Sequence, residues 1–187
     1  MNVARLVART VIGVLFVGHG VQKLAGWFGG PGLEGTAGMM ESLRLHPPRR
    51  NAIAAGAAEA GGGALLMLGL ATPAASSALI GTMITAIRKV HWSNGPWVSA
   101  GGYEYNLVLI AALLALAEDK PGDVSVDRAL GLNFTGFRWS LAALGLGAAA
   151  SAATVWLGEN AAPEDPSTAD REAAEAPTDQ PGDPATT

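Results

Sequence analysis

Apolar residues gather in long runs divided by short polar segments, a pattern that predicts helices rather than strands. Trp139–Leu157 holds 19 residues without a charge, close to the roughly 20 apolar residues that cross a hydrocarbon core at about 1.5 Å per residue. Ala60–Ile87 is charge-free for 28 residues, too long for one crossing, and it is interrupted at Gly69–Pro73. Pro73 suits the first turn of a new helix and Thr72 its cap, so this region predicts two helices, over 50–70 and 73–91. A further span at 5–27 is apolar up to Gly18 and then broken by His19, Gln22 and Lys23. Another, at 102–118, opens with Glu104 and Asn106 and is apolar from Leu107 to Ala117. The expectation is an all-α fold: a polytopic bundle of five transmembrane helices. Arg5 and Arg9 before an apolar stretch also resemble a secretory leader. No small-x-small cleavage site follows them, and the later spans make the protein polytopic on either reading.

The connections alternate between two sides. Side A holds the N-terminus, the 69–73 turn and the 118–138 loop. Side B holds the 28–49 loop, the 92–102 loop and the C-terminal tail. Trp27, Trp92, Trp97 and Trp156 fall on side B and Trp139 on side A, as interfacial anchors should. Basic residues tie at five a side: Arg5, Arg9, Lys120, Arg128 and Arg138 against Arg44, Arg49, Arg50, Arg88 and Lys89. Two arginines before the first span and glutamates soon after it favour a cytoplasmic N-terminus and an outside tail.

Composition narrows the chemistry. The chain has 187 residues, of which 15% are charged, against about 25% in globular proteins. It contains no cysteine, which excludes disulfides, thiolate metal sites, Fe–S clusters, a cysteine nucleophile and covalently attached haem. The net charge of −4 is unevenly spread: residues 159–187 carry eight acids and one base, leaving the body at +3. With no basic stripe and an acidic tail, nucleic-acid binding is disfavoured. That tail has five prolines and no apolar periodicity, so disorder is expected over 159–187.

The polar residues within the spans are clustered. His19, Gln22 and Lys23 stand at i, i+3 and i+4, on one face of one turn. Glu59 lies about 12 Å along its helix from Asn51, on a face of Ala52, Ala55, Gly56, Gly62 and Gly63 that admits a close neighbour. Arg88, Lys89 and His91 end the third span, and Tyr103, Glu104, Tyr105 and Asn106 open the fourth. Four segments thus direct ionisable groups to the side-B half. A carboxylate on a tight helix face should be paired or protonated, with Lys23 or Arg88 as partner for Glu59 and Glu104 taking the other cation. Such pairs either fix helix register or form a ligand or proton site. His19, Gln22, Lys23, Glu59, Arg88, His91, Glu104, Tyr105 and Asn106 are therefore the candidate site.

Other chemistries are disfavoured. Haem ligation by His19 and His91 needs rings at matched depth, yet His19 lies two turns inside its span and His91 at an end. No metal site is expected, because three histidines without an HxxxH or ExxH pair do not make one. His46, before Pro47 and Pro48, reads as surface. There is no GxSxG elbow, and Gly29-Gly30-Pro31-Gly32 lacks the strand and Lys-Ser/Thr of a phosphate loop.

Gly18-His19-Gly20-Val21-Gln22-Lys23-Leu24, followed by Gly26-Trp27-Phe28-Gly29-Gly30-Pro31-Gly32-Leu33-Glu34-Gly35, resembles the start of the DoxX family of bacterial membrane proteins. The likeness continues in Glu59, in His91-Trp92-Ser93-Asn94-Gly95 and in Gly101-Gly102-Tyr103-Glu104-Tyr105-Asn106, over about residues 5–125. The resemblance implies a four-helix core over 1–125, with a loop and fifth helix over 126–158 outside it and the acidic tail beyond. It implies a multi-pass protein of the bacterial plasma membrane with His19, Lys23, Glu59 and Glu104 as its polar set. It also implies one of two roles. One is a quinone-linked redox subunit or accessory, in which His19, Lys23 and Tyr105 donate to a quinone and Glu59 or Glu104 relays protons. The other is a non-catalytic anchor for partner proteins of an oxidative-stress or respiratory complex. Whether the chain is an enzyme stays open. Lipids, redox partner subunits and a second copy of the chain are the partners expected.

Overall fold

The computed structural model describes residues 3–163. Among the described residues seven α-helices follow one another: α1 (Val3–Ala25), α2 (Gly32–Ser42), α3 (Pro48–Leu68), α4 (Thr72–Ala86), α5 (Glu104–Glu118), the single turn α6 (Val126–Ala129) and α7 (Phe137–Asn160). No strand occurs among the described residues. α1, α3 and α7 are each long and apolar enough to cross a membrane. α4 is prolonged by a π-helical turn over Ile87–His91, which carries it to about 30 Å at the standard rise. α5, with 15 residues, is the shortest of the five long helices. All five lie where the hydrophobic pattern predicts helices.

Three boundaries differ from the sequence reading. The 28–49 segment is not a plain loop, because α2 occupies its middle and packs on α1 and α3. α7 runs to Asn160, so Glu159 belongs to a helix rather than to the tail. The expected disorder otherwise falls on residues 164–187, outside the described residues. Thr72 is not the cap of α4: Ala71 holds the cap position, and the capping carboxylate comes from Asp127, 56 residues away.

Glycine decides which helices meet. Gly13 and Gly20 on α1 face Gly63 and the Gly56–Ala60 turn of α3 so closely that a side chain has no room. A Cβ at Gly63 would stand 2.6 Å from the Gly13 carbonyl, and one at Gly13 would stand 2.6 Å from that of Gly63. Between apolar helices in lipid there is no hydrophobic drive to associate, so close backbone approach and dispersion hold the pair. α4 and α7 repeat the device at Gly81 and Gly147, with Thr85 donating to Ser151 Oγ across the seam at 2.9 Å. α4 touches α3, α5 and α7, and its Leu79, Ile80 and Met83 share one core with Phe16, Leu66, Leu113 and Ala143. The fifth long helix is thus part of the same core as the first four. The outer faces are apolar: Val7, Val11, Val14, Val108, Leu141 and Leu146 are all about half exposed or more. That inversion suits lipid as the surrounding solvent.

Candidate functional site

Lys23 stands in the last turn of α1, where the helix dipole favours a cation. Glu59 stands midway along α3. The Gly20 and Gly56 contacts fix the two helices in register, and Lys23 Nζ donates to Glu59 Oε2 at 2.5 Å. The Glu59 side chain is 7% exposed and that of Lys23 21%, so the pair is reached from the lysine side. α2 packs against the end of α1. The Thr36 hydroxyl, fully buried, lies 2.7 Å from the Gly32 carbonyl and 3.2 Å from that of Lys23. Gln22 Nε2 donates to the Phe28 carbonyl at 3.4 Å, holding the chain reversal between α1 and α2. His19 lies one turn before Lys23 on α1 and is exposed on its outer surface.

The remaining expected residues do not join this pair; they occupy three other places. Glu104 opens α5, and its Oε1 accepts the Val98 amide proton at 3.0 Å. His91 Nδ1 lies 2.7 Å from the Gly101 carbonyl. A carbonyl only accepts, so the Nδ1 nitrogen carries the proton. Asn94 donates to the same carbonyl at 3.2 Å, and Trp92 stacks on Tyr103 with centroids 5.5 Å apart. These bonds make residues 92–103 a compact knot. Asn106 is buried between α4 and α5 and donates to Met83 Sδ at 3.4 Å, while Tyr105 is 48% exposed. Arg88 is exposed, and Lys89 pairs with Glu159 of α7 at 2.8 Å.

The expected convergence of two cations and two acids is therefore corrected to one pair, Lys23–Glu59. The cause is local. Glu104 is in the first turn of a helix, where free loop amides are nearer than any cation across the bundle. The π turn carries Arg88 and Lys89 towards α7. His91 is tied into the loop knot and His19 is exposed on α1, so the two do not form a facing pair. Among the described residues, no group of three or more His, Asp or Glu side chains is placed to hold a metal.

Sequence reasoning missed a second polar centre at side A. Arg9 is 4% exposed and Asp127 1%. Arg9 Nη2 donates to the Val124 carbonyl at 2.5 Å. Arg5 binds the Lys120 carbonyl at 2.6 Å and the Asp119 carboxylate at 2.5 Å. Asp127 accepts from the Ala71 and Thr72 amides at 2.8 and 3.3 Å, while its own amide donates to the Gly69 carbonyl at 2.9 Å. Residues 119–127 thus bind α1 to the α3–α4 turn, around a cavity of about 10 Å³ with room for one water at most. The available signal was the i, i+4 spacing of Arg5 and Arg9, whose two charges had to meet carbonyls or acids somewhere.

Long apolar helices, outward-facing aliphatic side chains and buried ionisable groups define an α-helical multi-pass membrane protein. Over residues 4–92, from α1 through the π turn of α4, the chain matches the DoxX family model. No curated protein and no solved structure matches it.

Proposed function

We propose that this chain is a DoxX-family protein, a five-crossing subunit of the bacterial cell membrane that serves a quinone-linked redox complex. Its Lys23–Glu59 pair is the proton-exchanging site. The observation that carries this reading is the pair itself: a carboxylate almost wholly shielded by packed helices, salt-bridged to a lysine that keeps one side open. Intramembrane ionisable groups of this kind mark proton and ligand sites. A quinone headgroup arriving through the lipid meets Lys23 first, with His19 one turn along the same helix. Each can donate to a quinone carbonyl, and Glu59 behind them can take or return the proton. Electrons come from a partner subunit. α4 with its π turn, and the shorter α5, complete the five crossings. The N-terminus is assigned to the cytoplasm.

The test is quinone retention. Full-length protein purified in mild detergent should co-purify with quinone or bind an added short-chain analogue. Glu59→Gln and Lys23→Met should each weaken binding about tenfold, the effect of one lost charge-assisted hydrogen bond. Undiminished binding in both variants, at unchanged helix content, refutes the assignment.

A second reading is supported by the 92–103 knot, which holds Trp97 and Val98 rigidly in the open at 67% and 58% exposure. In that reading the chain anchors a partner protein. Pull-down would then recover a complex lost on Trp97→Ala yet indifferent to Glu59→Gln.

A further inference from the structure

A basic cluster forms where the ends of α4 and α7 meet the α2–α3 turn, and nothing in the proton-exchange reading uses it. Lys89 bonds Glu159 at 2.8 Å. Arg88 and Arg44 also act electrostatically on that same carboxylate. The α2–α3 turn is brought there by Gly158, where a Cβ would stand 2.9 Å from Leu45 Cα, and by a bond of 3.3 Å from the His46 amide to the Gly158 carbonyl. With Glu41 of α2 one turn before Arg44, three cations stand against two carboxylates, an excess of one positive charge, and both arginines are exposed.

Two further features point to a ligand. The first is backbone strain at Arg44. It follows the C-terminus of α2 with φ +55°, closing the helix through bonds from its own amide to the Glu41 carbonyl and from the Leu45 amide to the Met40 carbonyl, both 2.9 Å. This is the left-handed position that glycine fills without strain. A bulky cation there is strained, and strained side chains gather where a site requires them. The second is height. Trp92 and Trp156, 67% and 65% exposed, stand at the ends of the same two helices, the level of the headgroup layer. Guanidinium forks match a phosphodiester in shape and charge, and basic pockets between helix ends at this level suit anionic headgroups.

We propose that Arg44, Arg88 and Lys89 form a binding site for the phosphodiester headgroup of an anionic phospholipid. The two arginines clasp the phosphate, and Glu159 holds Lys89 in place beside it.

The experiment is native mass spectrometry of the full chain in mild detergent, titrated in turn with phosphatidylglycerol, phosphatidylcholine and inorganic phosphate. Phosphatidylglycerol should be retained about tenfold more strongly than phosphatidylcholine. The double variant Arg44→Gln, Arg88→Gln should lose that preference. Arg50→Gln, also basic and exposed but not part of the cluster, should keep it. Arg44→Gly separates binding from folding, since it relieves the backbone and should leave thermal stability equal or higher while weakening lipid retention several-fold. Equal retention of the two lipids, or a preference untouched in the double variant, overturns the site. Competition by millimolar inorganic phosphate that abolishes the preference overturns the lipid as its source and reassigns the cluster to free anions.

Discussion

Removing either member of the Lys23–Glu59 pair should destabilise the bundle, but by unequal amounts. Breaking a buried ion pair from one side typically costs about 3–5 kcal/mol, most of it from the charge left behind. The charge left behind differs here. Lys23→Met strands Glu59, whose side chain is 7% exposed. The full penalty of about 3 kcal/mol or more applies. Glu59→Gln strands Lys23, which is 21% exposed and one turn from the helix end. Its ammonium can turn outward along its stem, so the expected cost falls to about 1–2 kcal/mol. Replacing both, as Lys23→Met with Glu59→Leu, removes both desolvation penalties and should sit within about 1 kcal/mol of the parent. The assay is equilibrium unfolding in mixed micelles, followed by helix content, for the parent, the two single variants and the double. A coupling below about 0.5 kcal/mol, or a larger loss in Glu59→Gln than in Lys23→Met, would refute the reasoning.

The same unfolding assay tests the side-A centre. Asp127→Ala leaves the Ala71 and Thr72 amides without their acceptor and should cost about 2–3 kcal/mol; Asp127→Asn keeps an acceptor and should cost less. On α1, Gly13→Leu should split the α1–α3 seam, whereas Gly18→Ala should be tolerated, because a Cβ at Gly18 meets nothing within 4 Å. Gly102→Ala should loosen the 92–103 knot, since a Cβ there falls inside the contact distance of the Gly95 carbonyl oxygen. A red shift in tryptophan emission at unchanged helix content would report it. Thr85→Ala removes one interhelical bond and should cost about 1 kcal/mol or less.

Hydrophobic runs alone located the five long helices, because lipid requires each span to satisfy its own backbone and to be apolar over a known length. The small-residue face around Glu59 was also readable: close approach needs glycine, and glycine is visible in a sequence. The order of helices around the bundle was not. Depth and face follow from helical spacing, but the neighbour that a face meets depends on the whole packing. Spacing therefore leaves both Lys23 and Arg88 as partners for Glu59, and only the packing pairs Lys23 with it and turns Arg88 towards Glu159. Asp127 escaped notice for a similar reason. Its partners are backbone amides 55 and 56 residues away, and a cap supplied from so far along the chain leaves no local pattern. α2 was hidden because its glycines and brief apolar stretch resemble a loop until Thr36 is seen packed against the end of α1.

The central claim is that Glu59 exchanges a proton with a quinone through a site opened by Lys23. Infrared difference spectroscopy tests it directly, on full-length protein in liposomes loaded with a short-chain quinone that is reduced chemically during the measurement. The account predicts a carboxyl band that appears or shifts on quinone reduction in the parent and is absent in Glu59→Gln. A spectrum without any carboxyl change, or one that survives intact in Glu59→Gln, would contradict it.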